Sequence, residues 1–497
     1  MFSKILEWIR DRINNMLNTS NVSSALHVDI AISPLMTAAL QKWALMYINQ
    51  AGWLTDEIKS LGLPAAIAGE LARAATIEMD VEISGNKISQ RAKYKSANTR
   101  AAWLYEQIDR VYPKLREQVE YGVAKGGLML KPYPVGKNIA VDYVQADCFY
   151  PVSFDANGKI TACIFSDTRI IGKYYYTRLE FHQMDGNVCW ITNAAFKADG
   201  PNALGRPCPL TEVADWAELQ EERGIENVEK LLVGYFRNPG ANNIDPTSPL
   251  GVSGYSRAVE LIQQADTLWA NLIWEFKSGK RRMYVNEDAF DKGADGKPKL
   301  PDVDFYRIIN SQSDVGTGGK LFEAWTPEFR NAAIQSGLDA ILKKIEFNCG
   351  LAYGTISDPN TVDKTATEII ASKQRSAATV VDTQKALENA LEDLLYAMDV
   401  WATLGGLAPA GPYEAAYAFD DSIVTDHITQ FAQDSQALGL QVMSKVKFLM
   451  RNYGLTEEMA RQEIADIQAE NAGGTDLFGV PADPNAQDQT KEPAVGV

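Results

Sequence analysis

The sequence predicts an α+β protein, with a mixed helix-and-strand N-terminal region followed by long helices. Three observations carry this reading. Between about 127 and 196, short β-branched and aromatic runs are split by turn signals such as DANG (155–158) and MDG (184–186), the pattern of a β-meander. Two helical patterns of matched length, 254–278 and 327–350, flank a segment with strand-like pieces. A third helical stripe runs through 365–403, far longer than the average globular helix.

Bulk properties narrow the class. A chain of 497 residues exceeds one ordinary core, so two to four structural units are expected. Its 46% hydrophobic and 23% charged composition is that of a folded protein. The net charge of −16, from 48 basic and 64 acidic residues, argues against a nucleic-acid-coating protein. It leaves room for a protein through which nucleic acid slides without sticking. The cysteines at 148, 163, 189, 208 and 349 are odd in number and form no CxxC pair, so reduced thiols are expected instead of a disulfide scaffold. His27, His182 and His427 lie far apart, which disfavours a histidine-rich metal site. No run of 18 apolar residues is long enough to span a membrane. Charges interrupt the N-terminal apolar stretch, unlike a secretory signal.

Residues 2–17 place Phe2, Ile5, Leu6, Ile9, Ile13 and Leu17 on one helical face, with Lys4, Arg10 and Arg12 on the other. Such a helix docks on its own protein or a neighbour, and a membrane-surface seat is the other reading. Residues 34–61 and 63–79 read as helices, the second with Pro64 in its first turn, where the missing N–H costs nothing. Residues 98–125 read as another, through Trp103, Leu104, Ile108, Val111, Leu115 and Val119. The meander follows, so 1–235 forms one mixed unit. A loop rich in Pro, Gly and Asn spans 236–253.

The helix at 254–278 is then roughly 37 Å long at 1.5 Å per residue. Its match at 327–350, opened by Pro327 and closed by Gly350, is roughly 36 Å by the same rule. Between them, 279–326 holds strand-like pieces at 282–285 and 305–309, several glycines and Trp325. Two antiparallel helices with a small β-containing unit at their far end make a stalk, which suits packing beside neighbouring copies. A loop at 352–364 leads to the longest helix, 365–403, about 58 Å. Its stripe runs Ala366, Ile369, Ile370, Ala377, Val380, Val381, Leu387, Leu391, Leu394 and Met398. A strand at 415–424 and helices near 426–451 and 456–470 follow. The polar tail, 471–497, reads as disordered.

Chemistry-bearing patterns are few. GTGGK at 316–320 is followed by Leu321 where a P-loop needs Ser or Thr, and no helix opens there, so it reads as a turn. GYSRA at 254–258 lacks the preceding strand of a nucleophile elbow, and Ser253 or Ser256 reads as the cap or start of the following helix. Asp420, Asp421, Asp426 and His427 read as a strand end and helix cap, not a metal site. No catalytic, cofactor-binding or metal-ligating residue is expected, and no enzyme activity. The densest basic patch, Lys277, Lys280, Arg281 and Arg282, offers either DNA phosphate contacts or pairing with acids of an adjacent subunit.

Four stretches carry a family resemblance: LPAAIAGELARAATIEM (63–79), GGLMLKPYPVGKNIAVDYVQADCFYPVSFDANGKI (126–160), PLGVSGYSRAVELIQQADTLW (249–269) and FDDSIVTDHITQFAQDSQALGLQVMSKV (419–446). As a combined pattern over nearly the whole chain, they resemble the portal proteins of tailed bacteriophages, in the branch common to long-tailed phages and prophages. The resemblance implies a portal fold. Residues 1–235 would be a mixed α/β wing, 236–253 a linker, 254–278 and 327–351 stem helices, and 279–326 a β-containing clip facing the tail connector. Residues 352–364 would be a tunnel loop, 365–403 a long helix to the crown, and 404–470 crown, with strand 415–424 returning to the wing.

The same resemblance implies a homo-oligomeric ring, usually of twelve subunits, at one capsid vertex of the virion, assembled in the host cytoplasm. Its implied partners are double-stranded DNA, a terminase motor, a head-completion adaptor, and the major capsid and scaffold proteins, with no membrane and no cofactor. In the tunnel loop, Asp358, Asn360, Asp363 and Lys364 would touch passing DNA. The alternative readings are a minor capsid or adaptor protein and a phage-head hydrolase. Geometry is consistent with the ring. Twelve inner helices at roughly 10 Å spacing make a circle about 38 Å across at the axes. Subtracting roughly 10 Å of helix thickness leaves a bore near ~28 Å, enough for a duplex. Duplex DNA carries one charge per roughly 1.7 Å, so an acidic ring with few localised cations suits passage of a whole genome.

Overall fold

A computed structural model describes residues 19–77, 79–85, 99–200, 203–280, 282–286, 306–309, 322–325, 328–358, 366–419 and 427–472. Helices and antiparallel sheets both occur, as an α+β chain requires. Two units are distinguishable, Met1–Phe419 and Asp420–Val497. The N-terminal stretch 2–17, the GTGGK turn, Asp420, Asp421, Asp426 and the tail from 473 lie outside the described residues.

The first unit opens with α1 (Thr19–Leu26) and α2 (Pro34–Tyr47). Ser33 caps α2, its Oγ accepting the Met36 N–H at 3.2 Å, and Pro34 fills the first turn. The helix stops well short of 61, because Asn49 turns the backbone left-handed at φ 58°. Next come α3 (Leu63–Thr76) and β1 (Met79–Ser84). The predicted helix 98–125 is two helices, α4 (Arg100–Asp109) and α5 (Tyr112–Lys125). Pro113 has no N–H to continue the ladder, so a new first turn starts around it.

The meander is present as expected. A three-stranded antiparallel sheet has β2 (Gly127–Val135) between β3 (Asn138–Gln145) and β10 (Gly234–Arg237). A larger sheet runs β4 (Phe149–Phe154), β5 (Ile160–Ile171), β6 (Tyr174–Asp185), β7 (Val188–Ala198) and β8 (Arg206–Cys208), with β9 (Glu222–Glu226) also paired to β7. On β6 the buried Glu180 meets Lys131 Nζ at 2.7 Å, Arg178 at 3.0 Å and His182 Nε2 at 2.7 Å. Burial alone would raise its carboxyl pKa, but Lys131, His182 and Arg178 hold it well below the ordinary carboxylate range. A depressed folded-state pKa stabilises above the unfolded value, about 4.3, and that contribution is lost as pH falls toward the folded value. Urea titrations of wild type and Glu180→Gln are therefore expected to differ by about 3 kcal/mol near neutral pH. The gap should shrink once the pH drops below about 4.

The hairpin consists of α6 (Val259–Ser278) and α7 (Asn331–Cys349). A 3₁₀ turn, Ser256–Ala258, leads into α6, which has no side-chain cap of its own. Ser253 Oγ instead accepts the Tyr255 N–H at 3.3 Å and Ser256 begins the turn, so the serines shape the entry, not the first α-helical turn. α7 starts later than Pro327 because the Arg330 N–H is already taken by Glu275 Oε1 at 3.1 Å. At the hairpin's far end, β11 (Arg282–Asn286) runs parallel to β12 (Tyr306–Ile309) and antiparallel to β13 (Phe322–Trp325).

The longest helix, α8 (Ala366–Leu404), buries Leu387, Ala390, Leu391, Leu394, Leu395 and Met398. It lies directly on β10 at Gly234, where an added Cβ would sit 2.1 Å from the Ala390 carbonyl oxygen. A backbone carbonyl in mid-helix has nowhere to go. Gly234→Ala is expected to cost about 3 kcal/mol in chemical denaturation. Gly52→Ala, with open space around its Cβ position, is the control and should change little. The chain then returns as β14 (Glu414–Phe419), which pairs antiparallel with β1, Val81 opposite Tyr417.

The second unit holds α9 (His427–Gly439), α10 (Lys445–Tyr453) and α11 (Glu457–Ala472). The single helix expected over 426–451 breaks where Gln441 adopts φ 57°, and Ser444 caps α10 by accepting the Lys447 N–H at 3.1 Å. Among the described residues, no helix is long and apolar enough to cross a membrane.

Candidate nucleic-acid interface

The loop after α7 is built around one carboxylate. Glu346 sits fully buried in the last turn of α7. Its Oε1 accepts the N–H groups of Gly354 (3.0 Å), Ile356 (2.8 Å) and Ser357 (2.9 Å), and its Oε2 accepts the Ser357 hydroxyl at 2.9 Å. A tight loop leaves several backbone donors converging on one point, and an acceptor-only group with two oxygens satisfies them together. Gly350, at φ 71°, ends α7, and an added Cβ there would fall 2.2 Å from Thr379 Oγ1 on α8. Glycine thus lets the end of α7 close onto α8.

Arg375 of α8 completes the frame. Its guanidinium lies 4.4 Å from the ring centre of Phe347 and 5.6 Å from that of Tyr353. Its buried Nη1 has no hydrogen-bond partner among the described residues. The loop is therefore held from α7 by Glu346 and from α8 by Arg375, while Thr355 and Asp358 stay exposed. The Asp358 N–H reaches Asp339 Oδ1 at 3.3 Å. Of the other expected loop residues, Asn360, Asp363 and Lys364 lie outside the described residues.

The basic patch is elsewhere. Lys277 and Lys280 are exposed at the C-terminal end of α6, where cations favour the helix dipole, and Arg282 opens β11. Arg281 lies outside the described residues. α6 and α7 are antiparallel, with Arg330 on Glu275 at one end and Asn348 Nδ2 on the Arg257 carbonyl at the other. Patch and loop are thus at opposite ends of α7, roughly 28 Å apart for its 19 residues. The structure does not bring the two candidate groups together.

Glu346, Arg375 and the Gly350–Thr379 contact were not among the sequence candidates. One signal was present for Glu346. A carboxylate in the last turn of a helix opposes the dipole, so it needs an external reason to be there. Among the described residues, no group of three or more His, Cys, Asp or Glu side chains is placed to hold a metal ion. The five cysteines are free thiols.

Glu346 and Arg375 thus shape and hold the loop from two helices. The family model described as phage portal protein, SPP1 Gp6-like, matches residues 44–475, and the chain belongs to this family. It is a structural subunit of a phage portal, a component of the virion. No curated protein matches the chain at significant similarity. A chain from the neck of a native GTA particle, computed with C12 symmetry, is similar with a TM-score of 0.39 and 12% identity, covering 79% of this chain and 90% of that one. Family membership rests on the sequence match and not on this likeness.

Proposed function

We propose that this chain assembles into a ring, with twelve copies as the expected number, through which double-stranded DNA enters and leaves the capsid. It catalyses no reaction itself. The observation that carries this reading is the loop at 351–358, fixed at its base by Glu346 and exposed at Thr355 and Asp358. A loop with a rigid base and a polar tip gives brief, unspecific contact, which is what passage of a genome requires. The net charge of −16 supports a weak grip on a polyanion.

In this reading α6 and α7 are the stem, 279–326 is the clip toward the tail connector, and 352–364 is the tunnel loop. α8 runs to a crown within 404–470, and 1–235 is mostly wing. Lys277, Lys280, Arg281 and Arg282 mark the stem–clip junction, facing DNA phosphates or acids of the adjacent subunit. A terminase motor, a head-completion adaptor, and capsid and scaffold proteins dock on the ring, which forms in the host cytoplasm. A photo-crosslinking residue at Thr355, in full-length chain within DNA-filled heads, should form DNA adducts, and one at Lys173 on the β5–β6 turn should not. Filled heads without adducts at 355 would overturn the channel placement of the loop.

A further inference from the structure

The distal half of the hairpin leaves three large aromatic side chains substantially exposed: Trp274 (62%), Phe276 (46%) and Phe329 (46%). Phe276 and Phe329 form a single knob, with ring centres 5.6 Å apart. Gly279 makes the knob possible, since a Cβ there would lie 2.3 Å from the Phe329 ring. Trp274 instead flanks a groove of about 440 Å³ between α6 and α7, lined also by Leu268, Ala333, Ile334, Gly337 and Arg330. Positions 274 and 276 are two residues apart, about 200° around the helix. Trp274 and Phe276 therefore point to opposite sides of α6, and the groove, lined from Leu268 to Glu275, is centred about one turn nearer the base of the hairpin than the knob.

We propose that the Phe276–Phe329 knob of one copy seats in the Trp274 groove of the next copy around the ring. This rests on the ring reading above and adds the residues that anchor neighbouring subunits. A knob cannot reach the groove on the opposite face of its own hairpin, so a second copy must supply it. A contact between two different faces of one chain is heterologous, and it closes into a ring when the rotation per copy divides a full turn.

Electrostatics agrees. The Arg330 guanidinium is held by Glu275 through Nε at 3.2 Å and Nη2 at 2.8 Å, while the side chain stays 71% exposed. Its edge is occupied and its flat face is open, which favours an aromatic ring stacked upon it. Single exposed apolar residues need no explanation, but a tilted aromatic pair on one side and a groove fit for an aromatic side chain on the other are complementary between copies.

The test uses full-length chain with Asn271→Cys, in the groove lining, and Glu328→Cys, beside the knob, combined so that Trp274, Phe276 and Phe329 are kept, assembled and treated with a short bismaleimide. The expected result is a ladder of multimers on a denaturing gel, absent from each single variant and from wild type. In parallel, Trp274→Ala should raise the concentration for half-maximal assembly at least roughly tenfold, with an unchanged circular dichroism spectrum. Rings of normal mass without a ladder, or Trp274→Ala assembling like wild type, overturn the knob and groove and leave the ring standing. A wild-type chain that never assembles overturns both.

Discussion

Glu346→Ala is expected to release the loop at 351–358 while leaving α6 and α7 helical, at a cost of about 3 kcal/mol. Three backbone N–H groups and one hydroxyl converge on this carboxylate, and the residue is fully buried. Alanine removes the acceptor of the Ile356 and Ser357 N–H groups and of the Ser357 hydroxyl, and leaves the Gly354 N–H only its 3.2 Å bond to Ser357 Oγ. Limited proteolysis should then cut near Thr355, where wild type resists. Glu346→Gln keeps one carbonyl oxygen for the three N–H groups, so its loss should be smaller, about 1–2 kcal/mol. In assembled heads the alanine variant should form rings yet retain little packaged DNA. Equal proteolysis of wild type and Glu346→Ala would show that the carboxylate does not organise the loop.

Arg100→Leu should destabilise the first unit by about 4 kcal/mol. Arg100 starts α4, and its side chain is 1% exposed. It donates to the carbonyls of Pro409 (3.1 Å) and Asp399 (3.2 Å) and to Thr403 Oγ1 (3.1 Å), and it pairs with the Asp399 carboxylate at 3.4 Å. One guanidinium thus ties the start of α4 to the last turns of α8 and to the loop at Pro409, where a cation also favours the helix dipole. Burial raises the Asp399 carboxyl pKa, and Arg100 works against that rise. Leucine leaves the acid facing an apolar side chain. In a double-mutant cycle, adding Asp399→Asn should therefore cost far less on the Arg100→Leu background than in wild type. Additive losses would mean that the two residues act independently.

Much of this architecture was legible in the sequence, for local reasons. The β-branched alternation and the DANG and MDG turns became β4 through β7, because alternation and turn chemistry are properties of adjacent residues. The long stripe predicted over 365–403 became Ala366–Leu404. Helix ends were less legible. Asn49 breaks one predicted helix by a left-handed turn that any sequence window leaves open, and Glu275 delays the start of α7 from the other side of the hairpin. The β1–β14 pair joins Val81 to Tyr417, across a separation that no short-range pattern encodes.

The candidate site divides the same way. The loop at 352–364 was legible as the connection before the longest helix and took its role from the family resemblance, but its organisation depends on Glu346 and Arg375, which act from neighbouring helices. The basic patch was visible as a run of charges. Its position at the opposite end of α7 from the loop follows only from the antiparallel hairpin.

The central claim is that this chain works as a ring. Native mass measurement with negative-stain images of the same full-length sample tests it most directly. Twelve chains of 54.8 kDa should give a particle of roughly 660 kDa with a central hole. A clean monomer that persists at high concentration and under varied salt would contradict the account.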